Sequence, residues 1–452
     1  MAESELLTRN ECRGLFDRVL REAKTAGADD VELTLGLSSS ALTRFANNSI
    51  HQNVAEHHRL VSVRTVIGRR TARASTNRLD EESIRSAVRQ AVENTRAQEP
   101  DPELPPMAEP ADQDEVDRFC PSTAQVGARD RAEVVREAIA HVRSASQSAA
   151  GIFETGRSAE AILNSRGLFA YYHDTLARFS ITVMQGDSSG WAKASAPDCA
   201  EVNPLALTRR ASEKAARSAD PRELPPGRYT VILEPSAVQD LLGQMFSDFS
   251  ATAIHDQRSF LTGRIGERLF GAGIHIADNA YHPLQWGPPF DGEGVPRRRL
   301  ALVEDGVIRE VAYSRTAALR DGVSPTGHGF PLPNESGEAP MNIVMEGGGT
   351  ALEDLVRSTE RGILVTRLWY IREVDPYEKI MTGMTRDGTF LVENGRIVAG
   401  LKNFRFNESL IELLKNVEAL SPAERASGEE AFDMVVPALR ARDFHFTEVT
   451  RF

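Results

Sequence analysis

The stretch Leu224-Pro-Pro-Gly-Arg-Tyr-Thr-Val-Ile-Leu233-Glu-Pro-Ser236 decides how the second half of the chain begins to fold. Two prolines and a glycine interrupt the chain before a β-branched run, which is typical of a buried strand. The residues Glu-Pro-Ser at its end predict the start of a helix. Apolar residues then recur at spacings of three and four, which places them on one helix face: Val238, Leu241, Leu242, Met245, Phe246 and Phe249.

The residues before this stretch predict an α+β module with a mixed sheet and flanking helices, an α/β-type arrangement. Apolar stripes at helical spacing predict helices over 9–26, 80–97, 130–145 and 202–219, and Asp80 is the expected N-cap of the second. Short alternating runs predict strands at 31–35, 41–53, 60–66, 152–153, 161–163, 169–173 and 177–184. Asn47-Asn48 is the expected turn within the second of these runs.

Two proline-rich segments predict how the chain is divided. Residues 99–121 contain six prolines and many acids, which is typical of a linker that runs over the surface. The break at 221–227 separates a domain over 1–220 from a domain over 221–452. The second domain is expected to be mostly antiparallel β with a few helices, so the predicted fold class is α+β.

Local signals fill in the second domain. Thr350-Ala-Leu-Glu353 has the pattern of a capping box, and Gly362 is expected to end the helix that it starts. Residues 363–370 predict a strand, residues 389–401 predict a hairpin that turns at 393–395, and 408–417 predict a helix.

The order strand, helix and Ser259-Phe-Leu-Thr-Gly-Arg-Ile-Gly-Glu267 resembles the TldD/PmbA family, whose TldD-type subunits are zinc metallopeptidases with a His-Glu-x-x-x-His motif on that helix. Further stretches resemble family landmarks in the expected order along nearly the whole chain: Thr43–Asn53, Asn164–Gly167, Phe290–Pro296, Arg361–Arg367 and Asp387–Gly395.

The resemblance places Gly243 and Asp248 at the motif's two histidine positions and Gln244 at its glutamate position. Glycine offers no ligand atom, glutamine is no general base at neutral pH, and one aspartate is a weak substitute for imidazole on zinc. A third ligand of TldD-type chains, a cysteine, falls close to Glu429. Catalytic zinc typically needs three protein ligands and an open position, so no metal and no catalytic residue is expected in this chain.

The pattern therefore resembles the PmbA type, also called TldE, which pairs with TldD. The resemblance implies a hetero-oligomer in which the TldD-type partner holds zinc and this chain is inactive alone. The complex is expected to degrade or mature extended peptides. A homodimer of the isolated chain is compatible with this interpretation.

The segment after the helix is the candidate peptide contact. Ser259, Thr262, Gly263, Arg264 and Gly266 combine small size, strand-like character and one cation, which suits pairing with an extended peptide by β-addition. An ordinary core hairpin explains the same pattern equally well.

Two other functions remain open on the sequence. His255, His275 and His282, with Asp256 and Asp278, could bind a divalent metal in an independent hydrolase, although Gly271, Gly273 and Pro283 argue against the helical spacing that this requires. The other is a binding or regulatory module without proteolysis.

His173 and Asp174 are adjacent on a strand and point to opposite faces, which argues against a catalytic dyad. Gly347-Gly-Gly349 is either an anion-binding lead into a helix or a tight connection.

Composition limits the partners. A net charge of −12 argues against nucleic acid, and the runs Arg69-Arg70 and Arg297-Arg298-Arg299 are short. The three cysteines are far apart and suggest neither disulfides nor a thiolate site. Residues 1–5 carry acids where a secretory signal carries bases, and no apolar run reaches about 18 residues. We therefore expect a cytoplasmic protein that does not bind membranes.

Overall fold

The first half of the chain forms an antiparallel six-stranded sheet in the order β3-β2-β1-β4-β5-β6. A computed structural model describes residues 6–450. The strands are β1 (Asp30–Ala46), β2 (Ser49–Ile67), β3 (Arg70–Thr76), β4 (Ser148–Asn164), β5 (Phe169–Gln185) and β6 (Ser188–Ala196). The α+β class is confirmed, but all strand pairs in this sheet are antiparallel, and the parallel strand pairs β11–β18 and β7–β12 lie in the second half of the chain.

These strands are much longer than the runs that predict them. The predicted strands at 31–35 and 41–53 belong largely to one hairpin of β1 and β2, which turns at Asn47 and Asn48 with φ of 49° and 57°. The polar residues Ser38, Ser39 and Ser40 interrupt the alternation, yet they pair with β2 on one side and β4 on the other. Neighbouring strands therefore continue the sheet where the hydrophobic pattern stops.

Four helices cover this sheet, and each of them is predicted by the sequence. α2 begins after Asp80, whose carboxylate accepts from the Ser83 amide, and α1 begins with a capping box at Thr8. α1 and α2 share one apolar cluster with the sheet, and α4 and α5 share another. The helices are α1 (Arg9–Thr25), α2 (Glu81–Ala97), α4 (Ala128–Ser144) and α5 (Pro204–Arg217), with a short α3 (Pro121–Ala124) before α4.

The segment 99–121 packs more closely than predicted. Met107 and Ala108 are buried, and Arg118 is buried with them. The Arg118 guanidinium donates to the carbonyl oxygens of Ala280 and Gly287, at 2.5 and 2.9 Å. The expectation of a surface linker is therefore wrong here, because this part of the segment packs against the second half of the chain.

The second half contains a closed barrel and a second six-stranded sheet. The barrel runs β12-β7-β19-β15-β13 and closes because β12 also pairs with β13, while β14 and β16 extend it. Its strands are β7 (Gly227–Leu233), β12 (Arg361–Asp375), β13 (Ile380–Glu393), β14 (Arg396–Gly400), β15 (Phe404–Ser409), β16 (Val417–Leu420) and β19 (Leu439–Val449). The predicted boundary at residue 220 falls between α5 and β7.

The other sheet has the order β10-β9-β8-β11-β18-β17. Its strands are β8 (Ile276–Asp278), β9 (Leu300–Glu304), β10 (Val307–Ile308), β11 (Ile343–Met345), β17 (Glu424–Ala426) and β18 (Met434–Val436). The helices of this half are α6 (Pro235–Leu242), α7 (Ala251–His255), α8 (Arg315–Asp321), α9 (Leu352–Arg357) and α10 (Leu410–Lys415). One large apolar core joins the barrel, this sheet and α6.

Several local predictions in this half need correction. α9 begins after Ala351, whose methyl side chain cannot cap it, and the Thr350 amide donates to the Leu420 carbonyl and not to Glu353. Gly362 lies in β12 and does not end the helix. The helix predicted over 408–417 is the shorter α10, whereas the hairpin of β13 and β14 around Asn394-Gly395 is confirmed.

Residues 1–5, on which the argument against a secretory signal partly depends, lie outside the described residues. No helix within residues 6–450 combines the length and the hydropathy needed to cross a bilayer.

Candidate functional site

The helix expected to carry the metal motif stops before the motif does. α6 follows β7, which pairs in parallel with β12. Gly243 is the C-cap of α6. A turn and a short 3₁₀ segment at Phe246–Asp248 then replace the predicted further helix. The six apolar residues of the predicted face are nevertheless all buried, because the turn keeps them directed into the core. We call Gly243, Gln244 and Asp248 the metal-motif slot.

Gly243 lies against Ala431. A Cβ atom built on Gly243 would overlap the Cβ of Ala431 and would also lie 3.3 Å from Met434 Cε. The backbone of Gly243 is in the ordinary right-handed region. Glycine is therefore required at this position by close packing and not by its φ angle.

Residues 427–433, which lie near the C-terminal end of the sequence, pack against the slot. We call this segment the 427–433 loop. Gln244 Nε2 donates to the Glu430 carbonyl at 3.3 Å and to the Asp240 carbonyl at 3.1 Å. The Glu429 carboxylate, close to the position of the expected third ligand, pairs with Lys193 at 3.2 Å. The loop thus reaches α6 as the resemblance implies, but Ala431 is the residue that it places at Gly243.

Helix α6 binds this loop through two residues that sequence reasoning missed. Asp240 Oδ1 accepts from the Glu429 and Glu430 amides at 3.0 and 2.9 Å. Gln239 Nε2 donates to the Ala431 and Phe432 carbonyls at 2.8 and 2.7 Å. Both side chains are completely buried. Burial raises the pKa of Asp240 to about 6, although the two amides oppose this shift.

Asp248 has a cation as its partner. Its Oδ2 atom lies 2.5 Å from Lys379 Nζ, and both side chains are almost completely buried. Lys379 also contacts Glu373 at 2.6 Å, and Asp248 Oδ1 accepts from the Phe260 amide at 3.3 Å. Burial raises the pKa of Asp248, whereas the positive charge of Lys379 lowers it. The positively charged partner of the Asp248 carboxylate is thus the ammonium group of Lys379.

The candidate peptide segment forms turns and not a strand. Gly263 and Gly266 have φ of 76° and 88°. The amides of Thr262, Arg264 and Gly266 donate to carbonyls of Ser259, Leu261 and Ile308. Both the predicted strand-like character and the alternative core hairpin are therefore wrong, although contact of these residues with an extended peptide stays a prediction.

Ser259 connects this segment to the slot. Its hydroxyl is buried and donates to the Asp248 carbonyl at 2.8 Å, and it accepts from the Leu261 amide at 3.0 Å. Ser259 therefore fixes the turn after the slot instead of facing a ligand.

The structure does not bring the three candidate histidines together. His255 lies 3.0 Å from Asp321, the Asp305 amide donates to His275 Nδ1, and the Leu284 amide donates to His282 Nδ1. Across residues 6–450, no three His, Cys, Asp or Glu side chains form a group that could hold a metal ion.

Asp278 and His328 form a separate buried pair at 3.1 Å. Burial alone would raise the pKa of Asp278, but the charge of His328 and the Asn342 amide hold it at about 2. No local sequence pattern marks His328, because its partner Asp278 is fifty positions away.

The remaining sequence candidates have structural roles. Asp174 accepts from Tyr172 at 3.0 Å, while the His173 ring stacks on Phe119 at 4.7 Å, so the two do not form a dyad. A Cβ atom on Gly347 or Gly348 would overlap the backbone of residues 420–423. The glycine run is therefore a tight connection.

A second cluster of buried carboxyl groups lies in residues 290–297, which we call the junction loop. Asp291 accepts from the Glu293, Val295 and Gly329 amides at 2.7 to 2.9 Å. Glu293 Oε2 accepts from the Arg315 amide at 2.9 Å, and its other oxygen is buried without a hydrogen-bond partner among the described residues. Burial and the charge of Asp291 raise the pKa of Glu293 to about 8.

Charged side chains of the first sheet act electrostatically on the junction loop. Arg64 and Glu32 form an ion pair at 2.8 Å with both side chains 2% exposed, and Arg73 also contacts Glu32. The charge of Arg64 lowers the pKa of Glu293 slightly against the larger effect of burial. The sequence marks 290–296 as a landmark but gives no sign of these partners.

Comparisons with known proteins cover most of the chain. Models described as PmbA/TldA metallopeptidase domain 1, central domain and C-terminal domain match residues 31–95, 121–219 and 226–448. A metalloprotease of Methanothermobacter thermautotrophicus is 24% identical over 285 residues, 58% of this chain and 60% of the relative. Metalloprotease PmbA of Escherichia coli O157:H7 is 21% identical over 392 residues, 82% of this chain and 83% of the relative. The matched region thus spans about three fifths of the first relative.

Solved structures show the same fold. TldE from Thermococcus kodakarensis superposes with a TM-score of 0.87 at 20% identity, over 96% of this chain and 100% of that one. A protein of Thermotoga maritima described as a putative modulator of a DNA gyrase superposes with a TM-score of 0.85 at 20% identity, with the same coverage.

Proposed function

Because the chain belongs to the TldD/PmbA metallopeptidase family, we propose that it is a subunit that binds no metal itself and pairs with a zinc-containing TldD-type subunit. The complex degrades or matures extended peptides in the cytoplasm. This chain shapes the enclosure for the peptide, and the partner supplies the zinc and the base that activate water.

The observation that carries the proposal is the way in which the slot is filled. Ala431 occupies the space in front of Gly243, and Lys379 neutralises Asp248. A zinc site needs three donor atoms around an open position. Of the three motif positions, only Asp248 has a donor suited to zinc, and that carboxylate is bound to an ammonium group. The chemistry is therefore assigned to another chain.

Metal content and partner dependence test this proposal together. The chain would be purified without chelator, alone and after co-expression with a TldD-type protein of the same organism, and zinc would be measured by mass spectrometry. We expect less than about a tenth of an equivalent of zinc in the isolated chain, and one equivalent together with peptide hydrolysis in a stable complex.

Paired variants separate the two chains' contributions. Replacing the glutamate of the partner's His-Glu-x-x-x-His motif by glutamine should abolish hydrolysis and leave the complex intact, because only the base is lost. The double variant His275→Ala/His282→Ala of this chain is the matched control and should leave hydrolysis unchanged. Stoichiometric zinc in the isolated chain that disappears in this double variant would establish the independent hydrolase instead. Absence of any complex and of added proteolysis would favour a binding module.

A further inference from the structure

The outer face of the β12–β13 hairpin carries guanidinium groups stacked on aromatic rings. The register pairs Arg367 with Arg386 and Trp369 with Met384, which places these side chains on one face. The Cζ atoms of Arg367 and Arg386 lie 5.4 and 5.0 Å from the centre of the Trp369 ring. One indole ring therefore contacts two guanidinium groups.

A β-bulge extends this row along the hairpin. Trp369 pairs with residue 384 and Arg372 pairs with Thr382, so Tyr370 and Ile371 are inserted opposite one residue of β13. In a regular strand, side chains two positions apart lie on the same face, so without the bulge Ile371 would lie on the face of Trp369. The bulge instead buries Ile371 in the core and places Arg372 on the same face as Trp369.

The backbone of the bulge is strained and is held in place. Tyr370 has φ of 59°, a conformation that is unusual for a bulky side chain. The Glu430 carboxylate accepts from the Tyr370 and Ile371 amides at 2.9 and 3.2 Å, and so fixes it. The Tyr370 side chain remains 54% exposed, with the Arg372 guanidinium 4.5 Å above its ring. Backbone strain of this kind is typical of functional positions.

Two of these guanidinium groups lack a carboxylate at hydrogen-bonding distance within residues 6–450. Arg372 donates to the Ile371 carbonyl at 2.6 Å, but its Nη1 lies 3.8 Å from Glu430. Arg386 Nε lies 3.6 Å from Asp387. The two side chains are 60% and 46% exposed. Asp387 is already engaged, since it accepts from Arg367 and from Ser189.

We propose that this surface, which we call the arginine–aromatic strip, binds a carboxylate group of an extended peptide. It consists of Trp369, Tyr370, Arg372 and Arg386, while Arg367 is buried beside Trp369 and bound to Asp387. A guanidinium group stacked on a ring keeps its plane fixed and its edge N–H groups available, which suits bidentate binding of a carboxylate. The nearby Glu430 and Asp387 carboxylates disfavour a dianion such as phosphate.

The carboxylate is carried either by the C-terminus of the peptide or by an acidic side chain. That the carrier is a peptide rests on the proposed function, whereas the preference for a carboxylate rests on the strip alone. Binding to the isolated full-length chain is therefore measured separately from the formation of any complex.

Four versions of one hexapeptide of alanine and serine, labelled with an uncharged dye that has no carboxylate, test the proposal by fluorescence anisotropy. They carry Asp or Asn at the fourth position and a free or amidated C-terminus. We expect the version without either carboxylate to bind at least about tenfold more weakly than the best of the others. Two versions carry one carboxylate each, on the Asp side chain or at the C-terminus. The one that retains affinity shows which of these two carboxylates is bound. Equal affinity of all four versions, or no binding of any, would overturn the proposal.

Exposed arginines provide matched variants. Arg372→Gln and Arg386→Gln should each weaken binding of the carboxylate peptide by about fivefold or more, and Arg386→Lys should restore only part of it because lysine lacks the planar fork. Arg309→Gln is the control, since Arg309 is 48% exposed and lies on the other sheet. An equal loss in Arg309→Gln would show a general effect of charge and overturn the proposal. Thermal unfolding verifies that each variant is folded.

Discussion

The metal-motif slot and the junction loop bury carboxyl groups in different ways. In the slot, Asp248 has the ammonium group of Lys379 at 2.5 Å. In the junction loop, Glu293 forms no ion pair within the described residues, and its pKa of about 8 keeps it protonated at neutral pH. One carboxyl group is neutralised by a cation and the other by a proton, so only the second is expected to make folding sensitive to alkali.

The largest effect is expected from removing the cation of the slot. Lys379→Met leaves Asp248 as a buried charge without its partner, which should lower the free energy of unfolding by about 3–5 kcal/mol at neutral pH. The loss should shrink as the pH falls, because burial raises the pKa of Asp248 and so favours uptake of a proton that removes the unpaired charge. Urea denaturation at pH 5 and pH 8 measures both values.

Lys402→Met is the control for this variant. Lys402 pairs with Glu223 on the surface, and exposed pairs of this kind contribute about 0–1 kcal/mol. A loss in Lys379→Met no larger than in this control would contradict the role given to Lys379.

The pH dependence of the junction loop should be nearly as large. Glu293 in the folded chain holds a proton that the unfolded chain releases near the ordinary pKa of 4.5. Its stabilising contribution is therefore complete below pH 4.5 and is lost as the pH rises toward 8. Relative to Glu293→Gln, the unchanged chain should lose up to about 1.4 kcal/mol of stability per pH unit in this range.

Guanidinium denaturation at unit steps from pH 5 to pH 8 measures this difference. Glu304→Gln, a change of a surface carboxylate that pairs with Arg309, should give a difference from the unchanged chain that does not vary with pH. Parallel curves for the unchanged chain and Glu293→Gln would mean that Glu293 is ionised in the folded state.

A smaller effect is expected from overpacking the slot. Gly243→Ala places a methyl group against Ala431, which should cost about 1–3 kcal/mol. Adding Ala431→Gly should recover most of that loss, because it vacates the same space. A double-mutant cycle measured by denaturation gives the coupling, and additive effects of the two changes would rule out the contact.

The smallest effect concerns the amide of the slot. Gln244→Ala removes hydrogen bonds to the carbonyls of Asp240 and Glu430 and should cost about 1 kcal/mol. It should leave zinc content and hydrolysis by the complex unchanged. A loss of hydrolysis without a loss of stability would give Gln244 a direct role that the slot geometry does not suggest.

The sequence predicts the helices of the first half well but not the lengths of its strands. Asp80 marks the start of α2, because a capping carboxylate acts on amides only three residues away. Strand length depends on neighbours that are distant in sequence, so the serines at 38–40 appear as an interruption. Thr350 shows the limit of local signals. Its amide donates to the Leu420 carbonyl, which is distant in sequence, and α9 begins after Ala351.

The candidate site shows the same division. Gly243, Gln244 and Asp248 can be located from the sequence, because the strand and the start of the helix that place them are local. Lys379 and Ala431 cannot, since they lie 131 and 188 positions away from the residues that they contact. The proposed absence of metal can therefore be argued from the sequence. The residues that pack against Gly243 and Asp248 can be identified only from the folded structure.

The 427–433 loop limits which side chains position 243 can accept. It is held by Asp240 and Gln239 of α6, by the Glu430 contacts to β12 and by Lys193 of β6. Replacing Gly243 by a histidine would require Ala431 to move, and Ala431 cannot move while these contacts hold the loop. A metal ligand at position 243 would thus need several simultaneous substitutions, each unfavourable alone.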